Sequence, residues 1–126
     1  MTPEYPIVFV IDDDASVRRA VGRLLRSEGF EVETFASGSE FLRARDQSRK
    51  GCVVLDVRMP ELSGFEVLKC IATSRRPLPV ILITGHGDVP MANRAKNVGC
   101  AGFLAKPFED EALLGAIREA LRGLDE

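Results

Sequence analysis

Apolar residues along the chain fall into short runs, and between the runs they recur with helical spacing. The runs are Ile7 to Ile11, Cys52 to Leu55, Val80 to Ile83 and a weaker Phe103 to Ala105. A fifth candidate, Glu31 to Ala36, is partly polar and sets Val32 beside Thr34 and Phe35. Val17, Ala20, Val21, Leu24 and Leu25 lie at i, i+3, i+4, i+7 and i+8, one face of a helix that Gly29 can stop. Leu113, Leu114, Ile117 and Leu121 repeat this pattern near the C-terminus. Ser37 with Glu40 and Ser63 with Glu66 have capping-box spacing and predict two more helix starts. Asp88 can cap a further helix, which Gly99 would end. The order is strand then helix, five times over.

Strict alternation implies a parallel sheet with helices on both faces. Central strands of such a sheet are buried on both sides and are apolar throughout, as the first, third and fourth runs are. The second and fifth are less apolar and belong at the edges. The predicted fold is therefore α/β, a flavodoxin-like (βα)5 doubly wound sheet of five parallel strands in the order 2-1-3-4-5. Its 126 residues fit a single domain spanning 1–126, with no repeat, linker or output domain.

Composition narrows the function. The chain is 45% hydrophobic and 29% charged, with a net charge of -2. That sum gives no broad basic surface for nucleic acid and no polybasic stretch for a membrane, so direct binding of either is not expected. Cys52, Cys70 and Cys100 form no C-x-x-C pair, which argues for free thiols in a reducing compartment rather than a disulfide framework or zinc site. The first residues lack a signal-peptide pattern and no apolar run could span a bilayer, so the expected location is cytoplasmic.

Candidate chemistry gathers where the strands end. The first run ends in Asp12, Asp13 and Asp14, the third in Asp56, the fourth in Thr84 and the fifth in Lys106. In an open parallel sheet these ends share one edge, beside the switch point between strands one and three. Two unit charges ~4 Å apart repel by roughly 4 kcal/mol at an effective dielectric of 20. A divalent cation relieves that repulsion, and oxygen-only ligands favour Mg²⁺. With Lys106, the pocket suits an incoming dianion, and Asp56 can act as a nucleophile toward phosphorus. Thr84 could donate its hydroxyl to a phosphate oxygen. Each residue also has a plainer role: Asp14 reads best as a helix cap, Thr84 alone as a strand former, and Lys106 alone as an edge-strand lysine. The constellation, more than any member, points to function.

These residues carry a resemblance that covers essentially the whole chain. The sequence is similar to receiver domains, the CheY-like part of bacterial response regulators in two-component systems. VFVIDDD resembles the family's acidic first-strand cluster, which implies Asp12 and Asp13 as metal ligands. LDVRMPELSGFEVL resembles the phosphoacceptor segment, which implies Asp56 as the phosphorylated residue and metal ligand, joined by the backbone carbonyl of Arg58. ITGHGDVPMA implies Thr84 as the phosphate-contacting switch hydroxyl, and FLAKPF implies Lys106 as a phosphate contact followed by a cis bond to Pro107. Phe103 falls at the aromatic switch position, although a core phenylalanine would look the same. Arg58 and His86 are candidates for flanking the phosphate, each with a solvated side chain as the plainer alternative.

GHGDVPMA with FLAKPF further resembles the FixJ-type branch, whose members join a LuxR-type helix-turn-helix domain. Asn93, Lys96, Asn97 and Gly102 depart from that branch on the surface formed by the fourth helix, fifth strand and fifth helix. The resemblance implies a phosphorelay switch rather than an enzyme with a substrate. A sensor histidine kinase supplies phosphohistidine, Asp56 accepts the phosphoryl group with Mg²⁺, and slow autodephosphorylation resets the state. The changed surface then controls an output domain or partner in transcription regulation, with a phosphorylation-dependent homodimer through that surface. The chain is either a stand-alone receiver or an excised one.

Three rivals share parts of this chemistry. A phosphohydrolase of the haloacid-dehalogenase kind needs D-x-D-x-T/V after the first strand, and Asp12-Asp13-Asp14-Ala15-Ser16 lacks the threonine. A degenerate, non-phosphorylated receiver would lack some of these groups, and none is missing. A flavin site would want a glycine- and hydroxyl-rich first loop, which here is acidic.

Overall fold

A computed structural model describes residues 6–45, 49–58, 63–85, 94, 97 and 99–123. Five strands form one sheet: β1 (Ile7–Ile11), β2 (Glu31–Phe35), β3 (Gly51–Asp56), β4 (Val80–Thr84) and β5 (Gly102–Ala105). All pairings are parallel and the order is β2-β1-β3-β4-β5, as the alternating pattern predicts. β1, β3 and β4 are buried along their whole length, while β2 and β5 are partly exposed edges.

Four described helices pack on this sheet: α1 (Ala15–Ser27), α2 (Gly38–Ala44), α3 (Gly64–Ala72) and α4 (Asp110–Arg122). Between β4 and β5, Arg94 and Asn97 are helical and Gly99 adopts a positive φ of 102°, in keeping with the helix end expected there. The proposed cap Asp88 lies outside the described residues, as do Asn93 and Lys96.

Local chemistry accounts for the helix limits. Asp14 caps α1, its carboxylate accepting the Ser16 N–H at 2.9 Å and the Ser16 hydroxyl at 2.6 Å. These bonds lower the Asp14 pKa. At the other end Gly29 takes φ +89°, and its N–H and that of Phe30 donate back to the carbonyls of Arg26 and Leu25. This is a Schellman closure, which needs a residue free of a Cβ penalty in the left-handed region. Ser37 accepts the Glu40 N–H at 3.1 Å, but Glu40 reaches back to the N–H of Ala36 rather than of Ser37. Ser63 accepts the Glu66 N–H at 3.3 Å.

Side chains alternate across the sheet and make two cores. Ile7, Phe9 and Ile11 face Phe41 of α2 with Phe65, Leu68 and Ile71 of α3. Val8 and Val10 face Val21 and Leu25 of α1 with Leu113, Leu114 and Ile117 of α4. Phe41 is fully buried, and its ring lies edge-on to Phe9 at 5.3 Å and to Phe35 at 5.5 Å. Because both partner rings come from neighbouring strands, this contact seats α2 on the β2 side of the sheet. Phe41→Ala is expected to cost about 3–5 kcal/mol. Denaturant unfolding would show this as a lower midpoint at an unchanged slope.

Candidate functional site

The predicted chemical residues meet at the C-terminal edge of the sheet. Asp12 follows β1, Asp56 closes β3, Thr84 closes β4 and Lys106 follows β5. Asp56 and Thr84 lie inside their strands rather than beyond them, because Asp56 pairs in register with Ile83 and Thr84 with Ala105. Asp12, Asp56 and Thr84 are buried, whereas Asp13 is exposed and Lys106 partly so. One carboxylate oxygen from each of Asp12, Asp13 and Asp56 lies within 4.8 Å of the other two. Lys106 Nζ stands 3.8 Å from Asp12 Oδ2.

Backbone contacts hold these groups in place. Asp12 Oδ1 accepts the Asp14 N–H at 2.9 Å, and the Asp12 carbonyl accepts Arg18 Nη1 at 2.7 Å. Asp56 Oδ1 accepts the Arg58 N–H at 3.0 Å, which fixes the turn after β3 against the carboxylate. The Lys106 N–H donates to the Thr84 carbonyl at 2.7 Å. The Lys106–Pro107 peptide is cis. Phe103 is half-buried in β5 and packs against the core that contains Phe9 and Phe65. The Arg58 side chain is exposed, and His86 lies outside the described residues.

Two contributors carry no clear signal in the sequence. One is Arg18, six residues beyond the carbonyl it holds. The other is Gly64, whose N–H donates to the Val57 carbonyl at 2.9 Å. A Cβ at position 64 would lie 2.6 Å from both the Asp56 carbonyl oxygen and the Val57 Cα. Only glycine lets the first turn of α3 close so tightly on the backbone of the Asp56 segment.

Electrostatics explain what this arrangement can hold. Burial raises the pKa of Asp12, and the Asp56 and Asp13 charges push the same way against the Asp14 N–H and Lys106. Burial likewise raises Asp56, with Asp13 adding to it and the Arg58 N–H and Lys106 opposing. One ammonium group facing three carboxylates leaves an excess of negative charge. An all-oxygen set of this kind fits a hard divalent cation. Two cavities elsewhere, of about 580 and 490 Å³, are lined by none of these residues. The site is suited to an ion and a small anion, which need converging charges more than volume.

Comparison with known proteins agrees with this geometry. Residues 8–118 match the family model described as the response regulator receiver domain. The chain belongs to the response regulator receiver family. The receiver is 45% identical over 122 residues to the response regulator protein TodT of Pseudomonas putida, covering 97% of this chain and 54% of TodT. It is 47% identical over 115 residues to the transcriptional regulatory protein FixJ of Bradyrhizobium diazoefficiens, covering 91% of this chain and 56% of FixJ. The crystal structure of FixJ-N superposes with a TM-score of 0.87 at 38% identity, covering 95% of this chain and 96% of that one. The chain thus spans about half the length of the curated relatives it matches. Receiver domains take phosphoryl groups from sensor kinases and bind Mg²⁺ at an acidic pocket, and here Asp12, Asp13 and Asp56 form an acidic cluster.

The raised pKa of Asp56 has a consequence for stability. In the unfolded chain Asp56 titrates near its ordinary 3.8, and in the folded receiver above that value. The folded state therefore binds the proton more tightly, and the stability contributed is present at low pH and lost as pH rises through the folded pKa. At neutral pH without divalent cations, Asp56→Asn is expected to raise the melting temperature, because it removes the buried charge. The gap between variant and wild type should shrink as pH is lowered toward 4, measured by thermal unfolding in chelator.

Proposed function

We propose that the receiver is a phosphorelay switch in which Asp56 accepts a phosphoryl group from the phosphohistidine of a sensor histidine kinase. The observation that supports this most directly is the placement of the buried Asp56 carboxylate against Asp12, Asp13 and, through Asp12, Lys106. Asp12, Asp13, Asp56 and the carbonyl of Arg58 would hold Mg²⁺. When bound, the cation neutralises charge on the carboxylates and on the transferring phosphoryl oxygens.

In the transfer an Asp56 oxygen forms a bond to phosphorus as the phosphorus–nitrogen bond to the kinase imidazole breaks. The imidazole leaves with the electron pair and takes up a proton, and Asp56 becomes an acyl phosphate. Lys106 offsets the charge on the phosphoryl oxygens as the group is transferred. Water attack on the acyl phosphate restores Asp56, and Arg58 and His86, each two residues past Asp56 or Thr84 in sequence, would affect that access. The domain turns over no other substrate.

The new group carries about -1.5 to -2 charge at neutral pH. It draws the Thr84 hydroxyl and the Lys106 ammonium toward it, and Phe103 repacks into the space the Thr84 segment leaves. The readout is the surface made by the helix after β4, by β5 and by α4, where two phosphorylated copies pair. We read residues 1–126 as one receiver unit working in the cytoplasm, with control of transcription as its output. The names of its relatives FixJ and TodT, a transcriptional regulator and a response regulator, support that reading.

Incubation with acetyl phosphate and Mg²⁺, followed by intact-mass measurement, is expected to add one phosphate. The gain should vanish with chelator and in Asp56→Asn. A folded Asp56→Asn protein that still gains the mass would remove Asp56 from the role.

A further inference from the structure

The net charge of -2 is unevenly spread over the surface. The C-terminal edge of the sheet carries Asp12, Asp13 and Asp56. The opposite edge carries two basic turns: Arg43, Arg45, Arg49 and Lys50 lie from the end of α2 to the start of β3, and Arg75 and Arg76 lie between α3 and β4. The turns adjoin in space. Arg45 Nη1 donates to the Ser74 hydroxyl at 3.2 Å, and Arg45 Nη2 donates to the Arg76 carbonyl. Arg43, Lys50, Arg75 and Arg76 are exposed. Among the described residues no carboxylate pairs with any of those four, while Arg49 pairs with Glu31 at 2.8 Å.

Basic residues are common in the last turn of a helix, where they complement its dipole, and Arg43 of α2 is one of these. That effect fades within the last turn. It leaves Lys50, Arg75 and Arg76 unexplained, since they sit in the turns themselves. Like charges held side by side on a protein of slightly negative total charge are a standing repulsion, which an anion would relieve.

From this placement we propose that the edge opposite the phosphorylation site is an electrostatic contact for the phosphate backbone of duplex nucleic acid. Three of the four exposed residues, Arg43, Arg75 and Arg76, are arginines, whose planar forks match phosphate oxygens. The described part of the patch (residues 43–45, 49–50 and 72–77) has no aromatic residue, and the neighbouring Leu42 packs into the core. Protein interfaces take aromatic and apolar anchors at their centre, whereas a backbone contact needs only charge. The same lack of anchors means that no base sequence is read. The acidic edge is repelled by the polyanion, so the domain approaches with Asp56 facing away. Summed charge alone predicts no contact with nucleic acid; in the proposed contact the segregation of charge acts, not its total.

The inference is independent of phosphorylation and is tested by fluorescence anisotropy with a labelled duplex of mixed sequence. Weak binding is expected at low ionic strength. With three phosphates neutralised, affinity should fall about 40-fold between about 50 and 200 mM salt. Lys50→Glu with Arg75→Glu and Arg76→Glu should abolish binding, and Asp56→Asn should retain it. Arg19→Glu with Arg23→Glu and Arg26→Glu makes the same charge change on the exposed side of α1 and should also retain it. Thermal unfolding checks that each variant is folded, and Arg75→Gln with Arg76→Gln serves if the triple variant is not. Absence of binding at low salt, or equal loss in the α1 variant, overturns the proposal. Competition by polyglutamate as strong as by unlabelled duplex also overturns it and assigns the edge to an acidic protein partner.

Discussion

The structure depends on the cost of seating Asp12 and Asp56 side by side under the rim of a hydrophobic sheet. Both carboxyls are largely out of water and have raised pKa values from burial; the Asp56 charge adds to the rise at Asp12, and the Asp13 charge adds to both. Such groups persist only where the surroundings leave no alternative. Here β1 and β3 are fully buried and joined in register from Ile7↔Gly51 to Ile11↔Leu55, so the carboxylates cannot retreat without undoing the central pair. The folded chain therefore holds an unmet demand for positive charge, of which Lys106 supplies part.

Much of this was legible in the residues. β1, β3 and β4 could be read because strands covered on both faces need no polar alternation, and the less apolar β2 and β5 were edges for the same reason. The site could be read because its members come last in their apolar runs, and parallel topology brings strand ends together whatever the loops do. Asp14 separated from its neighbours because a carboxylate before a helical repeat has a capping role open to it, and it takes that role.

What stayed hidden depended on distances that spacing does not encode. The clamp from Arg18 onto the Asp12 carbonyl spans the first turn of α1, and an arginine on an amphipathic helix gives no sign of turning inward. Gly64 looked like an ordinary residue after a cap, yet its missing methyl is what permits α3 to start against the Asp56 backbone. The basic edge was hidden for a different reason. Total charge is additive along a sequence, but the fold sorts the charges by direction, and Arg45 and Arg76 meet only once α2 and α3 lie side by side.

The sheet itself decides which carboxylates meet. Adjacent strands are about 4.8 Å apart, and the pairing of β1 with β3 brings the ends that carry Asp12 and Asp56 side by side. The sheet serves as a ruler, its spacing set by main-chain hydrogen bonds that every sequence makes alike. Side-chain changes in the loops can retune access and lifetime without altering that spacing. A slip of one residue between β1 and β3 would instead turn Asp56 to the other face and erase the site at once. Ionic precision here is inherited from the backbone, so the chemistry can vary widely at its rim while its centre stays as constant as the sheet.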